Sequence, residues 1–306
     1  MTQRVAAIDC GTNSIRLLVA DVDQTARTLV DLDRRMVIVR LGQDVDRTGR
    51  LAPEALERTF AACDEYARVI ADLGAQTVRF VATSASRDAS NRDEFVAGVR
   101  ERLGVDPEVI PGAEEAALSF TGAVRGLPTL VAPVVVVDIG GGSTEFVRGT
   151  ESLESAWSVN VGCVRMTERH LRSDPPTVEE IQAAASDIDR AIDEAAKHVD
   201  LDAIASLVGV AGSVTTVAAL HLGLAEYDSD AIHASTLPAD AVRTLSDELL
   251  AMTRQQRAAL AVMHPGRVDV IGAGALVLRR IVDRTGVSSL TVSETDILDG
   301  ICWSIA

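Results

Sequence analysis

Short apolar bursts, each closed by an acid or turn residues, open the chain. Val5 to Asp9, Arg16 to Asp21 and Met36 to Leu41 run or alternate apolar over strand lengths, which predicts a three-strand meander. Helical spacing follows. Between Pro53 and Leu73, the residues Leu56, Phe60, Cys63, Ala67 and Ile70 recur every third or fourth position, with Pro53 in the first turn and Gly74 as the stop. Thr77 to Ala82 then reads as a strand. Asn91 to Leu103 reads as a helix, with Asn91 as N-cap, Glu94 three residues on, and Gly104 ending it. A short strand, Glu108 to Ile110, leads into a helix from Ala113 to Val124.

The pattern then restarts. Val134 to Asp138 is a continuous apolar strand ending in an acid, followed by hairpin-like strands through Val147 and Ser158 and a helix from Gly162 to Leu171. Laying DCGTNSIRLLV (from Asp9) over DIGGGSTEFVR (from Asp138) matches Asp9 with Asp138, Gly11 with Gly140 and Ser14 with Ser143 at one constant offset. Two domain-sized halves therefore begin with the same strand, turn and returning strand. The second half continues with a helix from Val178 to His198, opened by the capping box Thr177 and Glu180. A strand from Ser206 to Val210 and a helix from Ser213 to Leu222 come next. Helices are then expected at Leu237 to Met252, Arg267 to Arg284 and Glu294 to Ser304, with a strand at Ser289 to Val292. The Pro- and Gly-containing stretch Gly126 to Pro133 reads as the interdomain linker.

At 306 residues the chain suits two domains sharing a cleft. Its longest apolar runs are far too short to span a bilayer, and its N-terminus enters a strand without an export-type leader, so a cytoplasmic protein is expected. Cys10, Cys63, Cys163 and Cys302 are scattered, which predicts buried free thiols in place of a disulfide framework or zinc site. The five histidines are equally dispersed, so any metal should be a hard cation held by carboxylates. A net charge of −16 disfavours a general nucleic-acid binder. Lys197 is the sole lysine, so cationic contacts fall almost entirely to arginine.

A strand ending in Asp and followed by glycines turns sharply enough for consecutive N–H groups to face one concavity, an anion cradle. One such loop is also what a tight hairpin needs; two in register are more specific. Gly11, Thr12, Asn13 and Ser14 form the first, and Gly140, Gly141, Gly142, Ser143 and Thr144 the second, with hydroxyl and amide groups adding donors. Asp138 and Glu145 on the returning strand can hold Mg²⁺ directly or through water, with Asp9 in the matching place. GAEEA, Gly112 to Ala116, puts two acids in a helix's first turn, where they ordinarily complement the dipole. Neighbouring side chains there point about 100° apart, so only one of Glu114 and Glu115 is expected to reach the phosphate and activate a water. ATSASRDASN places Arg87 on a loop where it can offset charge on a phosphoryl group; Arg16 and Arg165 are further candidates.

Together, DCGTNSIRLL, ATSASRDASN, GAEEA, DIGGGSTE, GCVR and GVAGSV resemble, in order, the exopolyphosphatase and guanosine pentaphosphate phosphatase family. The resemblance implies an α/β, duplicated actin-like ATPase (ribonuclease H-like) fold, with two domains around a central cleft. Residues 1–125 would form the first and 126–306 the second, with the helix at 293–306 packing back on the first. It implies hydrolysis of the terminal phosphoanhydride of inorganic polyphosphate, or alternatively of guanosine pentaphosphate (pppGpp), with Mg²⁺ or Mn²⁺, and a homodimer. By motif, Glu115 would be the base, Asp138 and Glu145 would serve the metal, and the two loops with Arg87 would hold phosphates. Thr12 stands where the family commonly has Ser, which keeps the hydroxyl. The chain has no His-Asp dipeptide of the kind found in the long members' added region, so it resembles the short two-domain members, for which a preference for short polyphosphate is expected. An actin-like sugar or acetate kinase would share the loops, but GAEEA beside ATSASR argues against it. A non-enzymatic actin-like filament or sensor could dispense with Glu115. The glycines of VIGAGAL lack the third Gly and downstream acid of a dinucleotide loop.

Overall fold

In the computed structural model, which describes residues 1–127, 130–150 and 153–306, the chain divides into two compact units. One is Met1–Gly122 with Asp296–Ala306, the other Ala123–Thr295. The expected linker includes residues 128 and 129, outside the described set.

In the first unit, β1 (Gln3–Cys10), β2 (Ser14–Asp23) and β3 (Thr28–Ile38) form the antiparallel meander. A short helix α1 (Val45–Thr48) and the long α2 (Pro53–Leu73) lead to β4 (Thr77–Ala82), which pairs parallel to β1. Then come α3 (Ser84–Asp88), α4 (Arg92–Leu103), β5 (Glu108–Val109) and α5 (Gly112–Gly126), giving the sheet order β3-β2-β1-β4-β5. Central β1 is buried on both faces, which is why its sequence is almost uniformly apolar. Ala6, Ile8 and Cys10 face Leu56, Tyr66, Phe95 and Val99 of α2 and α4. Val5 and Ala7 face Leu118 of α5 and the chain's last helix.

The second unit repeats the plan. β6 (Val134–Ile139), β7 (Thr144–Gly149) and β8 (Leu153–Val159) form an antiparallel meander, followed by α6 (Cys163–His170) and α7 (Val178–Ala195). β9 (Ser206–Val210) pairs parallel to β6, as β4 does to β1. α8 (Ala211–His221), α9 (Ser229–Ile232), β10 (Thr236–Pro238), α10 (Ala239–Ala251), α11 (Arg254–Ala258), α12 (Ile271–Thr285) and β11 (Ser289–Val292) complete it, in the sheet order β10-β11-β9-β6-β7-β8. The chain ends in α13 (Ile297–Ile305), which lies with the first unit. There Ile297, Ile301 and Cys302 pack on β1 and β2, and a Cβ at Gly300 would stand 1.9 Å from the Leu118 carbonyl oxygen, so α13 crosses α5 at backbone contact. This is the duplicated actin-like α/β fold.

Several expectations change. β3 begins at Thr28, well before the expected Met36, because TLVDLDRRMVI is an edge strand whose first half is largely exposed and carries charges that break the apolar pattern. The segment holding Arg87 is the helix α3, not a loop. Asn91 precedes α4 but does not cap it with its side chain. Its amide instead pairs with the backbone of Leu51, accepting from the Leu51 N–H at 2.8 Å and donating to the Leu51 carbonyl at 3.2 Å. The Thr177–Glu180 capping box is present, and all four cysteines are buried and free. Among the described residues no helix is long and apolar enough to cross a membrane.

Candidate active site

The two Asp-Gly loops share one hydrogen-bond design. Gly11 N–H donates to the Ser14 carbonyl at 3.0 Å, and Gly140 N–H to the Ser143 carbonyl at 3.0 Å. In the first loop the Asn13 carbonyl accepts from the N–H groups of Val39 and Arg40, and the Thr12 carbonyl from Gly42. In the second, the Gly140 and Gly141 carbonyls accept the first N–H groups of α6, from Cys163, Val164 and Arg165. Both sets of carbonyls are thus turned toward the body of their own unit. The amides of Thr12 and Asn13, and those of Gly141, Gly142 and Ser143, have no backbone acceptor among the described residues. Runs of amides left without a backbone acceptor are what a phosphate oxygen can bind. Close seating of the second loop needs Gly162, where a Cβ would lie 2.4 Å from the Gly141 carbonyl oxygen.

Around the first loop, the chemistry gathers on α3. The Thr12 and Ser84 hydroxyls are 2.8 Å apart, and Arg87, one turn further along the same helix, donates to Glu115 Oε2 at 3.3 Å and to the Ile110 carbonyl at 2.9 Å. Glu115 is 7% exposed. Its neighbour Glu114 is held elsewhere, accepting from Arg79 at 2.6 Å, and Arg79 also grips Glu108 and Ser304. α5 therefore turns one acid to a structural arginine and the other to the α3 cluster. Asn13 Oδ1 and Ser86 Oγ are buried without a hydrogen-bond partner among the described residues.

Asp9 and Arg16 are engaged with each other. Arg16 donates to Asp9 Oδ2 through Nε at 3.0 Å and Nη2 at 2.6 Å, and through Nη1 to Asp296, the N-cap of α13. Burial pushes the Asp9 carboxyl above its ordinary value despite the pull of Arg16. Burial works against the Arg16 charge, but Asp296 and Asp9 together hold its proton well above the usual range. Arg16 thus reads first as a bridge between two buried acids. Nothing in the local sequence announced Asp296; the only signal was the D-x-x-D box it makes with Asp299 at the start of α13.

In the second unit, Asp138 and Glu145 stand directly opposite across β6 and β7, and Glu145 stands opposite Ser158 across β7 and β8. Directly opposed residues share one face, so the two acids are neighbours. Both are buried, and Ser158 Oγ donates to Glu145 Oε1 at 2.7 Å. Among the described residues no group of three or more His, Cys, Asp or Glu side chains is arranged to hold a metal ion. A pair of carboxylates still suits Mg²⁺, which is commonly held by one or two carboxylates, water and substrate phosphate oxygens. The Thr144 hydroxyl is committed to the fold, donating to the Val161 carbonyl at 2.6 Å, so its proton is not offered to a phosphate. Arg165 donates from Nε to the Gly142 carbonyl at 2.7 Å, bracing the second loop.

A duplicated actin-like fold with an Asp-Gly phosphate loop in each unit, a buried acid–arginine pair by one loop and a carboxylate pair by the other, defines a phosphohydrolase of the actin-like class. The chain belongs to the Ppx/GppA phosphatase family, whose profile matches residues 18–306. It is 51% identical to Exopolyphosphatase 2 of Mycobacterium tuberculosis, over 99% of this chain and 98% of that one. Among solved structures, an exopolyphosphatase-like protein is 46% identical with a TM-score of 0.94, covering 98% of each chain. The Ppx/GppA family member of Aquifex aeolicus is 29% identical with a TM-score of 0.83, covering 99% of this chain and 97% of that one.

Proposed function

We propose that this protein is an exopolyphosphatase that removes the terminal phosphate of inorganic polyphosphate by attack of a water molecule activated by Glu115. The observation that supports this most is α3, which touches the first phosphate loop through Ser84 and Glu115 through Arg87. General-base catalysis requires a base within reach of the bound phosphate, and the link through α3 is what supports Glu115 for that part. The water's proton passes to Glu115 as its oxygen bonds to the terminal phosphorus. The bridging P–O bond then breaks, and the shortened chain leaves with that oxygen as an anion. Arg87 with the Thr12 and Asn13 amides in the first unit, and the Gly141, Gly142 and Ser143 amides with the Ser143 hydroxyl in the second, are each suited to offset charge on phosphoryl oxygens. Ser14 and Gly11 supply the turn that presents the first set of amides.

Asp138 and Glu145 are the residues that would hold a divalent cation, Mg²⁺ with Mn²⁺ as substitute; Asp9, engaged by Arg16, is the matching acid of the first loop. Such a cation would neutralise phosphate charge at the leaving and transferred groups. The reading carries two expectations about setting, that the protein works in the cytoplasm and as a homodimer.

Phosphate release by purified protein from polyphosphates of graded length, pppGpp and ATP, with Mg²⁺, Mn²⁺ or EDTA, tests the substrate. Metal-dependent release from polyphosphate, fastest on short chains, is expected. Release from pppGpp exceeding that from every polyphosphate would make the nucleotide the substrate, and fastest turnover of very long chains would reject the short-chain preference.

A further inference from the structure

The row of residues Asp138, Glu145 and Ser158 runs across three adjacent strands in direct register. Glu145 is 1% exposed, yet its carboxylate is the end of a side chain with three rotatable bonds, whose last torsion is broad and weakly restrained on its own. Ser158 Oγ lies 2.7 Å from Glu145 Oε1, and a carboxylate is acceptor-only, so the hydroxyl is the donor. We propose that Ser158 is a positioning residue, whose hydroxyl fixes the rotation of the Glu145 carboxylate so that Glu145 and Asp138 face one divalent cation together.

The inference rests on the reading that Glu145 serves the metal. An oxygen that accepts one hydrogen bond keeps a second lone pair, so the bond from Ser158 orients Glu145 without removing it as a ligand. Partners of this sort set ligand geometry in metal sites, and their loss commonly weakens metal binding by about 10- to 100-fold. The strand supplies rigidity. β8 holds Ser158 through paired backbone on β7, and Thr144, next to Glu145, ties β7 to the segment after β8 through the Val161 carbonyl. The donor and the carboxylate it orients are therefore fixed to one another.

The test is direct Mn²⁺ binding, read by electron paramagnetic resonance with inorganic phosphate present, for wild type, Ser158→Ala, Ser158→Thr and Glu145→Gln, with thermal melts of each. Expected is weak or no binding by Glu145→Gln, at least about tenfold weaker binding by Ser158→Ala, and binding within about threefold of wild type for Ser158→Thr, which restores the hydroxyl. Wild-type affinity in Ser158→Ala alongside a damaged Glu145→Gln overturns the positioning role while leaving the metal reading standing. Equal loss in Ser158→Ala and Ser158→Thr overturns it too, because the hydroxyl would then not be the cause. Absence of Mn²⁺ binding by wild type, or undiminished binding by Glu145→Gln, overturns the metal reading itself and the inference with it.

Discussion

Arg16 shows how a residue's neighbours redirect its reading. Its place two residues after the first loop suggests a phosphate contact, and in the fold it joins Asp9 to Asp296, which lies 280 residues beyond Arg16 in the sequence. Local sequence could not show this, because the partner arrives with α13 at the far end of the chain. Asp296 is 3% exposed and also accepts from the Leu298 N–H at 3.0 Å, capping its own helix. Removing one partner of a buried ion pair typically costs about 3–5 kcal/mol, because the other charge stays buried. Arg16 keeps Asp9, so Asp296→Ala is expected to lower stability by about 3 kcal/mol, near the bottom of that range, as measured by urea unfolding. A change below about 0.5 kcal/mol would show that the bridge and the cap together contribute little. By contrast, the two acids of GAEEA were nearly separable from sequence. Helical geometry allows one of them the cluster, and the structure gives Glu114 to Arg79 and Glu115 to Arg87.

Among the elements, those with strong apolar periodicity were legible and those with mixed patterns were not. α2, with Pro53 at its start and Gly74 in the left-handed conformation at its end, matches its sequence expectation at both boundaries. β6 reads plainly because it is buried along its whole length. The charges Asp31, Asp33, Arg34 and Arg35 hide the first part of β3, and polar composition hides α3 although it organises the candidate site. The pair α6 and α7 carries a test at this scale. Asp187 on α7 meets Arg169 and His170 of α6, at 2.8 and 2.9 Å, and Arg190 of its own helix at 3.1 Å. Burial pushes the Asp187 carboxyl up, but His170, Arg169 and Arg190 outweigh it and hold the group at about 2, below its ordinary 3.8. A carboxylate depressed in the folded state contributes stability above its unfolded value, and that contribution disappears as the pH falls from 3.8 toward about 2. In unfolding experiments across this window, Asp187→Asn should flatten the pH dependence by at most about 2 kcal/mol. An unchanged slope would mean the cluster leaves the carboxyl where the unfolded chain has it.

Taken whole, the molecule bears a net charge of −16 while its proposed substrate is a polyanion, so attraction has to be local, from arginines, loop amides and the proposed cation. The duplication is what made this readable. The register of Asp9, Gly11 and Ser14 with Asp138, Gly140 and Ser143 reappears as the same Gly-to-Ser hydrogen bond in both units and as the same parallel strand added beside each meander. What the duplication leaves out, the acid proposed to activate water, comes from GAEEA in the first half alone. The proposed hydrolysis depends on Glu115. The most direct measurement is steady-state phosphate release from polyphosphate by Glu115→Gln beside wild type and Asp138→Asn, with melting temperatures confirming that each variant is folded. A fall in kcat of about 10²- to 10⁴-fold for Glu115→Gln, with KM little changed, is expected. Full activity in Glu115→Gln, with Asp138→Asn inactive, would contradict it, leaving a metal site without this base.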